Sequence, residues 1–307
     1  MNQENIGPLL LSKGYQLIDY INKGGFGSCY LVHSLKYNMK FACKISHSQN
    51  FESKISSSFS REVSTRIQLN HTNIVRVYDV FIVENYLAII LEYCPGGSVL
   101  SKMDGQDSLS IPKLIKYTYQ MLDALCFIHS KGIAHSDIKP GNMLVDEFNR
   151  IKICDFGLSQ FANHNETNSI SFCGSTNYMA PEILMNTKYD PFKADVWSLG
   201  ITLYQMLSGR LPFVNPLVSY RIEAMKIGHE RIMTAPRNFN KLIDLCLRFD
   251  PQTRPNMFQI KKHFEENFGK PSSSKLQSET TLFRRSAQQS IIKISKRVKK
   301  YVENTVC

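Results

Sequence analysis

The stretch that decides the fold is Ala134-His135-Ser136-Asp137-Ile138-Lys139-Pro140-Gly141-Asn142-Met143-Leu144, with Asp155 following thirteen residues beyond Asn142 in Ile153-Cys154-Asp155-Phe156-Gly157. Carboxylates, an amide and an ammonium stand close together here in a chain of two textures. Upstream, Gln16 to Asn22, Ser28 to His33, Met39 to Ser46, Val75 to Val83 and Tyr86 to Tyr93 alternate or run apolar, as strands do. One helical stretch, Phe59 to Leu69, interrupts them, and Pro95-Gly96-Gly97 marks a break. Beyond the break the period is helical. Ile115, Tyr119, Met121, Leu122, Leu125 and Ile128 mark one face of Ile111 to His129, and Ala194 to Ser208, Lys241 to Arg248 and Asn256 to Phe264 predict further helices. A strand-rich part thus precedes a larger helical part, and no internal repeat is present.

At 307 residues the chain is long enough for two domains or one bilobal one. Apolar residues make up 43% and charged ones 21%, the balance of a globular protein rather than a disordered one. No apolar run approaches the roughly 20 residues of a membrane span, and the start lacks the basic region of a signal peptide. The eight cysteines form no Cys-x-x-Cys pair and no zinc-like cluster. They predict reduced thiols and a cytoplasmic or nuclear setting, in which the sequon at Asn165 is idle.

Ile21-Asn22-Lys23-Gly24-Gly25-Phe26-Gly27-Ser28-Cys29 lies between two predicted strands. Glycines let backbone amides approach an anion closely. Alone, such a hairpin is more often a plain tight turn than a nucleotide cradle. It is no P-loop, since no Gly-Lys-Ser/Thr follows, and it precedes a strand, unlike a dinucleotide fingerprint. Next, Phe41-Ala42-Cys43-Lys44 places a lysine in an apolar strand, where it must snorkel or meet an anion. Glu62 begins the one helix of this region and can pair with Lys44, although a surface lysine and an unrelated glutamate would read the same way in isolation.

Taken in order, the glycine loop, Lys44, Glu62, Asp137, Lys139, Asn142, Asp155, Ala180-Pro181-Glu182, Asp195-Val196-Trp197 and Arg254 resemble the eukaryotic protein kinases over residues 15 to 267. Lys139-Pro140 after Asp137, and Cys173-Gly174-Ser175-Thr176-Asn177-Tyr178-Met179, resemble the serine/threonine type and are similar to the calcium/calmodulin-dependent and AMP-activated groups. The resemblance implies an α+β, bilobal fold. A small antiparallel-sheet lobe with one helix (15–91) is expected after an N-terminal extension (1–14). A hinge (92–97) and a helical lobe (98–267) follow.

The same resemblance implies ATP and Mg²⁺ as cofactors and a protein as substrate. Asn142 and Asp155 offer the oxygen ligands that a hard ion takes. Asp137 accepts the proton of an incoming hydroxyl, and Lys139 stabilises charge on the moving phosphoryl group. Lys44, paired with Glu62, grips the inner phosphates. Ile21, Asn22, Lys23, Gly24, Gly25, Phe26 and Gly27 form the phosphate loop. Cys29, Ala42 and Leu144 sandwich the adenine, Leu91 stands at the gatekeeper position, and Glu92, Tyr93 and Cys94 offer hinge backbone groups. Ser171 occupies the usual activation-loop phosphosite, Ser175 bonds Asp137 and Lys139, and Glu182 pairs with Arg254 as a structural tie. The alternative from another class is a pseudokinase scaffold, against which the intact polar set argues.

Four positions depart from the pattern. Asn22 replaces the first loop glycine and Cys29 the usual valine. Ser136 replaces the arginine that pairs with an activation-loop phosphate, so loop phosphorylation is expected to matter less. Arg66 falls one turn after Glu62, where an apolar residue is typical, while His135 and Phe156 keep their places. Ser98, Gly141 and Gln205 replace the acidic residues with which basophilic kinases read arginine. Finally, residues 268–307 hold nine basic and two acidic residues, a net +7 of the chain's +11. Ile291, Ile294, Val298, Tyr301 and Val302 would share one face of a basic helix over 286–302, a candidate for a calmodulin-like protein, an anionic membrane or an autoinhibitory contact. Its basic residues lack interleaved aromatics beyond Tyr301, which argues against nucleic acid. A monomer is expected.

Overall fold

The structure, a computed structural model, describes residues 3–24, 27–47, 69–83, 86–103, 108–161 and 176–270. The expected helix at 59–69 with Glu62 and Arg66, the loop residues Gly25 and Phe26, Ser171, Ser175 and the 286–302 segment lie outside these residues. Two compact units are present. Among the described residues, the first holds those up to Asn70 and Val75–Pro95, and the second holds His71–Ile74 and those from Gly96 to Lys270. Fold class and family expectation agree: an antiparallel sheet in one unit and helices in the other.

In the first unit α1 (Gln3–Leu11) precedes β1 (Tyr15–Gly24), β2 (Gly27–Ser34), β3 (Met39–His47), β4 (Val77–Val83) and β5 (Tyr86–Glu92). All neighbours are antiparallel in the order β1-β2-β3-β5-β4. Alternation along the strands sorts side chains onto two faces. Tyr30, Val32, Phe41, Cys43, Ile45, Ala88 and Ile90 make one buried face. Phe41 anchors it edge-on to Tyr15 and Tyr78, with ring centroids 6.5 and 4.9 Å away. Ile6 and Leu10 of α1 close this core. The segment read as an extension therefore includes a helix packed on the sheet, although it contains Pro8.

The second unit opens with α2 (Val99–Met103) and α3 (Ile111–Ser130). The buried side of α3 centres on Leu114, Tyr117, Met121, Leu125 and Ile128, with Ile115 and Tyr119 at its margin. Short strands β6 (Ile133–Ala134), β7 (Met143–Val145), β8 (Ile151–Ile153) and β9 (Gln160–Phe161) follow, pairing β6 with β9 and β7 with β8. Then come α4 (Pro181–Leu184), α5 (Pro191–Ser208), α6 (Val218–Ile227), α7 (Arg237–Cys246) and α8 (Met257–Phe268).

α5 is the post of this unit. The Asp190 carboxylate caps it by accepting from the Phe192 amide at 2.8 Å, Pro191 presets its first turn, and Gly209 ends it at φ 75°. Nearly every residue between Ala194 and Leu207 is buried. At Gly200 the helix meets α7 so closely that a Cβ would stand 2.7 Å from Cys246 and Leu247. α8 starts with a reciprocal box in which the Asn256 side chain accepts from the Gln259 amide at 2.9 Å and the Gln259 side chain from the Asn256 amide at 2.8 Å.

Because Leu10 is 2% exposed in the sheet core, Leu10→Ala is expected to destabilise the first unit by about 2–4 kcal/mol. Urea unfolding followed by aromatic fluorescence measures this, and an unshifted midpoint would show that α1 adds nothing to that core.

Candidate active site

The 134–142 loop is shaped by one buried carboxylate. Asp195 of α5 is 1% exposed. Its Oδ2 accepts from the His135 amide at 2.7 Å and faces His129 Nε2 at 2.8 Å, and its Oδ1 accepts from the Ser136 amide at 2.8 Å. A carboxylate so placed needs several donors to offset lost hydration. Meeting both amides puts Ser136 at φ 64°, a left-handed backbone. The ring of His135 is fully enclosed, and burial lowers its pKa. It packs on Phe156 at 4.8 Å, with Nε2 3.1 Å from the Cys154 carbonyl.

This backbone turn presents Asp137. Lys139 Nζ donates to Oδ1 at 2.9 Å and to Oδ2 at 2.8 Å, and Asn142 Nδ2 donates to Oδ2 at 2.7 Å. Oδ1 thus accepts one bond and keeps a lone pair. Asn142 Nδ2 also donates to the Asp137 carbonyl at 2.9 Å, which turns Oδ1 of Asn142 away from the loop, without a hydrogen-bond partner among the described residues.

The β7–β8 hairpin brings Asp155 to this group. Register pairs Met143 with Ile153, and the Cys154 amide donates to the Asn142 carbonyl at 3.0 Å. Residues 142 and 155 therefore flank one short hydrogen-bonded crossing. Asp155 sits at φ 60°. From the other side the Ile153 amide donates to the Asn73 carbonyl at 2.8 Å, and Asn73 Nδ2 to the Ile151 carbonyl at 2.8 Å. Leu144 is half-buried on β7, where its backbone bridges to Ser98.

Among the described residues no three His, Cys, Asp or Glu side chains form a self-sufficient metal site. A hard cation arriving on phosphate oxygens needs only one or two protein oxygens. The unpartnered Asn142 Oδ1 and the Asp155 carboxylate fit that requirement.

In the first unit, cross-strand pairs Cys29–Lys44, Leu31–Ala42, Lys44–Ile89 and Ala42–Leu91 place Cys29, Ala42, Lys44 and Leu91 on one sheet face, opposite the α1-covered core. Cys29, Ala42 and Lys44 are half-buried there. Asn22 pairs with Cys29, Lys23 with Ser28 and Gly24 with Gly27 at the hairpin end, and Ile21 falls at a register shift. At Gly27, φ is 141° and a Cβ would stand 2.2 Å from the Ile45 carbonyl oxygen, so this turn requires glycine. Further along, the Glu92 amide donates to the Arg76 carbonyl at 2.9 Å, Tyr93 is half-buried and Cys94 is buried.

Glu182 and Arg254 form a buried, two-pronged ion pair at 2.7 and 3.1 Å. Arg254 also donates to the carbonyls of Arg248, Phe249 and Lys193, and Lys193 to the Arg254 carbonyl. Two further contributors went unread in the sequence. Asp195 was noted only as part of a pattern, and Arg221, buried against Thr176 and Asn177, was not noted at all.

A sheet face carrying Lys44 beside Ala42 and a helical unit presenting Asp137, Lys139, Asn142 and Asp155 on an Asp195-anchored loop define a protein kinase domain. The protein kinase domain family matches residues 15–264, and the chain belongs to that family. Its relatives include the CBL-interacting protein kinase 15 of Oryza sativa subsp. japonica, 30% identical over 283 residues, which span 91% of this chain and 65% of the relative. The CBL-interacting serine/threonine-protein kinase 2 of Arabidopsis thaliana is 33% identical over 83% of this chain and 57% of its own length. The 3-phosphoinositide-dependent protein kinase B of Dictyostelium discoideum is 36% identical over 81% of this chain and 28% of its own length. The chain thus spans less than two thirds of the length of each of these relatives.

Glu182→Ala would strand the buried Arg254 guanidinium and is expected to cost about 3–5 kcal/mol. Lys226→Ala, which removes an exposed partner of Glu223, should cost less than about 1 kcal/mol. Thermal unfolding of both variants gives the comparison, and equal losses would contradict it.

Proposed function

We propose that the chain is an active serine/threonine protein kinase that transfers the γ-phosphoryl group of ATP to a protein hydroxyl with Mg²⁺. The observation that carries this reading is the Asp137 carboxylate, held by Lys139 and Asn142 with a lone pair left on Oδ1. An acceptor hydroxyl fits that lone pair, which orients its oxygen and takes up its proton as the phosphorus–oxygen bond forms. Lys139, already against Asp137, lies where charge collects on the moving group. Lys44 supplies a cation from the sheet face that also bears Ala42 and Leu91. Mg²⁺, when bound, neutralises charge on the phosphate oxygens. Asn142 Oδ1 and Asp155 would hold it. The intact set favours this over a scaffold without turnover.

Ser136 supports a further part of the reading. Its hydroxyl is buried with no hydrogen-bond partner among the described residues, and its amide is held by Asp195. A neutral side chain at 136 offers no charge to an activation-loop phosphate. The loop geometry rests on Asp195, so loop phosphorylation matters less to activity.

Two measurements test these statements. Phosphate transfer to a generic protein should fall by roughly 10³-fold or more in Asp137→Asn, and equal activity in the two proteins would remove the mechanism. Phosphatase treatment of the purified protein should change kcat by only a small factor. A complete loss would show that a phosphate supports the catalytic loop.

A further inference from the structure

A guanidinium is costly to remove from water unless a counter-charge meets it. Arg254 obeys this rule through Glu182. Arg221, on α6, does not. It is 4% exposed. Its Nε donates to the Asn215 carbonyl at 3.2 Å, and its Nη1 to Thr176 Oγ1 at 3.2 Å and Asn177 Oδ1 at 3.3 Å. All three acceptors are neutral. Glu223, two residues on, is engaged with Lys226, and Glu182, on the α4 helix that packs against α6, is engaged with Arg254. The second terminal nitrogen, Nη2, makes no hydrogen bond among the described residues, and it is not among the fully enclosed polar atoms that lack a partner. Nε and Nη1 are therefore fixed by three oxygens, while the two N–H groups of Nη2 reach the surface unmet. Two N–H groups on a cationic nitrogen held this way suit an oxygen of a carboxylate or phosphate.

Its location gives the charge a use. Thr176, Asn177 and Tyr178 form one short helical turn. Ser198, Thr202 and Gln205 of α5 stand one or two turns apart on one stripe. Ser198 Oγ donates to the Tyr178 carbonyl at 2.8 Å and Gln205 Oε1 accepts from the Tyr178 hydroxyl at 2.5 Å. Between them, Thr202 Oγ1 lies 3.4 Å from the Ile138 carbonyl, one residue from Asp137. The 176–178 turn and the Asp137 loop are thus clamped side by side on α5. Burial, chiefly, raises the Tyr178 phenol pKa to about 12, and the Asp137 charge adds to the shift. Because the 176–178 turn and the Asp137 loop sit side by side on α5, residues next to a hydroxyl placed at Asp137 would come within reach of Thr176 and Asn177. Exposed Val218 and Tyr220 leave the start of α6 open beside them.

We infer that Arg221 is a specificity-determining residue, whose unmet Nη2 binds an acidic or phosphorylated side chain within a few residues of the acceptor serine or threonine in the protein substrate. This rests on the kinase reading above. It also gives the buried charge its counter-ion only when the right substrate is present.

The test uses the full chain and peptides that differ at one position, from three residues before to three after the acceptor, carrying glutamate, phosphoserine or glutamine. At one position glutamate or phosphoserine should raise kcat/KM at least about tenfold over glutamine, mainly through KM. Added salt should shrink that ratio. Preference for both anions indicates carboxylate recognition, and preference for phosphoserine alone indicates a substrate already phosphorylated; either supports the inference. Arg221→Met should bring the ratio to near one, and Arg221→Lys should keep part of it. No anionic preference at any position in the parent protein would overturn the inference, and this profile needs no variant. Equal loss on all peptides in Arg221→Met would also overturn it, since Arg221 would then only prop the turn. If even the glutamine peptides receive no phosphate from the parent protein, the kinase reading fails and this inference falls with it.

Discussion

The interaction on which the rest of the site depends is a single enclosed carboxylate. Asp195 sits in a helix that is otherwise a column of apolar side chains. It is tolerated there because two backbone amides and an imidazole converge on it. The cost of burying the charge is met only if residues 135 and 136 turn their N–H groups inward. That demand sends the chain through a left-handed step at Ser136 and brings Asp137 out on the other side. Geometry in the loop follows from electrostatics in the helix.

The same economy governs the neighbouring parts. α5 presents Ser198 and Gln205, bonded to the Tyr178 carbonyl and phenol, and the Thr202 hydroxyl, which bonds back to the Ser198 carbonyl and lies 3.4 Å from the Ile138 carbonyl. Loop backbone, which cannot be buried without partners, thereby gains a rigid support. In the first unit the division is by face instead. Aromatic and branched side chains with α1 fill one side of the sheet, which leaves Cys29, Ala42, Lys44 and Leu91 together on the other. The lysine is thus carried on a strand whose alternate residues are locked into a core.

Much of this was legible before any coordinates. The strands announced themselves by alternation, and α3 and α5 by their apolar periodicity. Asp137, Lys139, Asn142 and Asp155 are legible through the resemblance their two short stretches carry to the protein kinases. Other parts were not legible for physical reasons. α1 carries Gly7 and Pro8 and only a few apolar residues, so its helical state depends on a sheet face formed by residues far along the chain. α6 buries just Arg221 and Met225, too few to print a period. Asp195 could be matched to a pattern, but nothing in its surroundings in sequence says that its partners are at 129, 135 and 136. Long-range hydrogen bonds leave no local signature.

Ser136 and Arg221 gain meaning when considered together. A guanidinium in the catalytic loop would await a phosphate on the enzyme's own loop. Position 136 holds instead a hydroxyl that meets no partner among the described residues, while the Arg221 guanidinium, with no counter-charge among them, stands beside the 176–178 turn. A cation in the catalytic loop is satisfied by modifying the enzyme, before any substrate arrives. A cation beside Thr176 is satisfied by what the substrate carries, at the moment it binds. The two arrangements place the same electrostatic cost at different steps. The first makes activity a property of the enzyme's history, whereas the second makes it a property of the sequence around the acceptor hydroxyl. In this chain Asp195 fixes the Asp137 loop, and the unmet Nη2 of Arg221 is the place where the second would act.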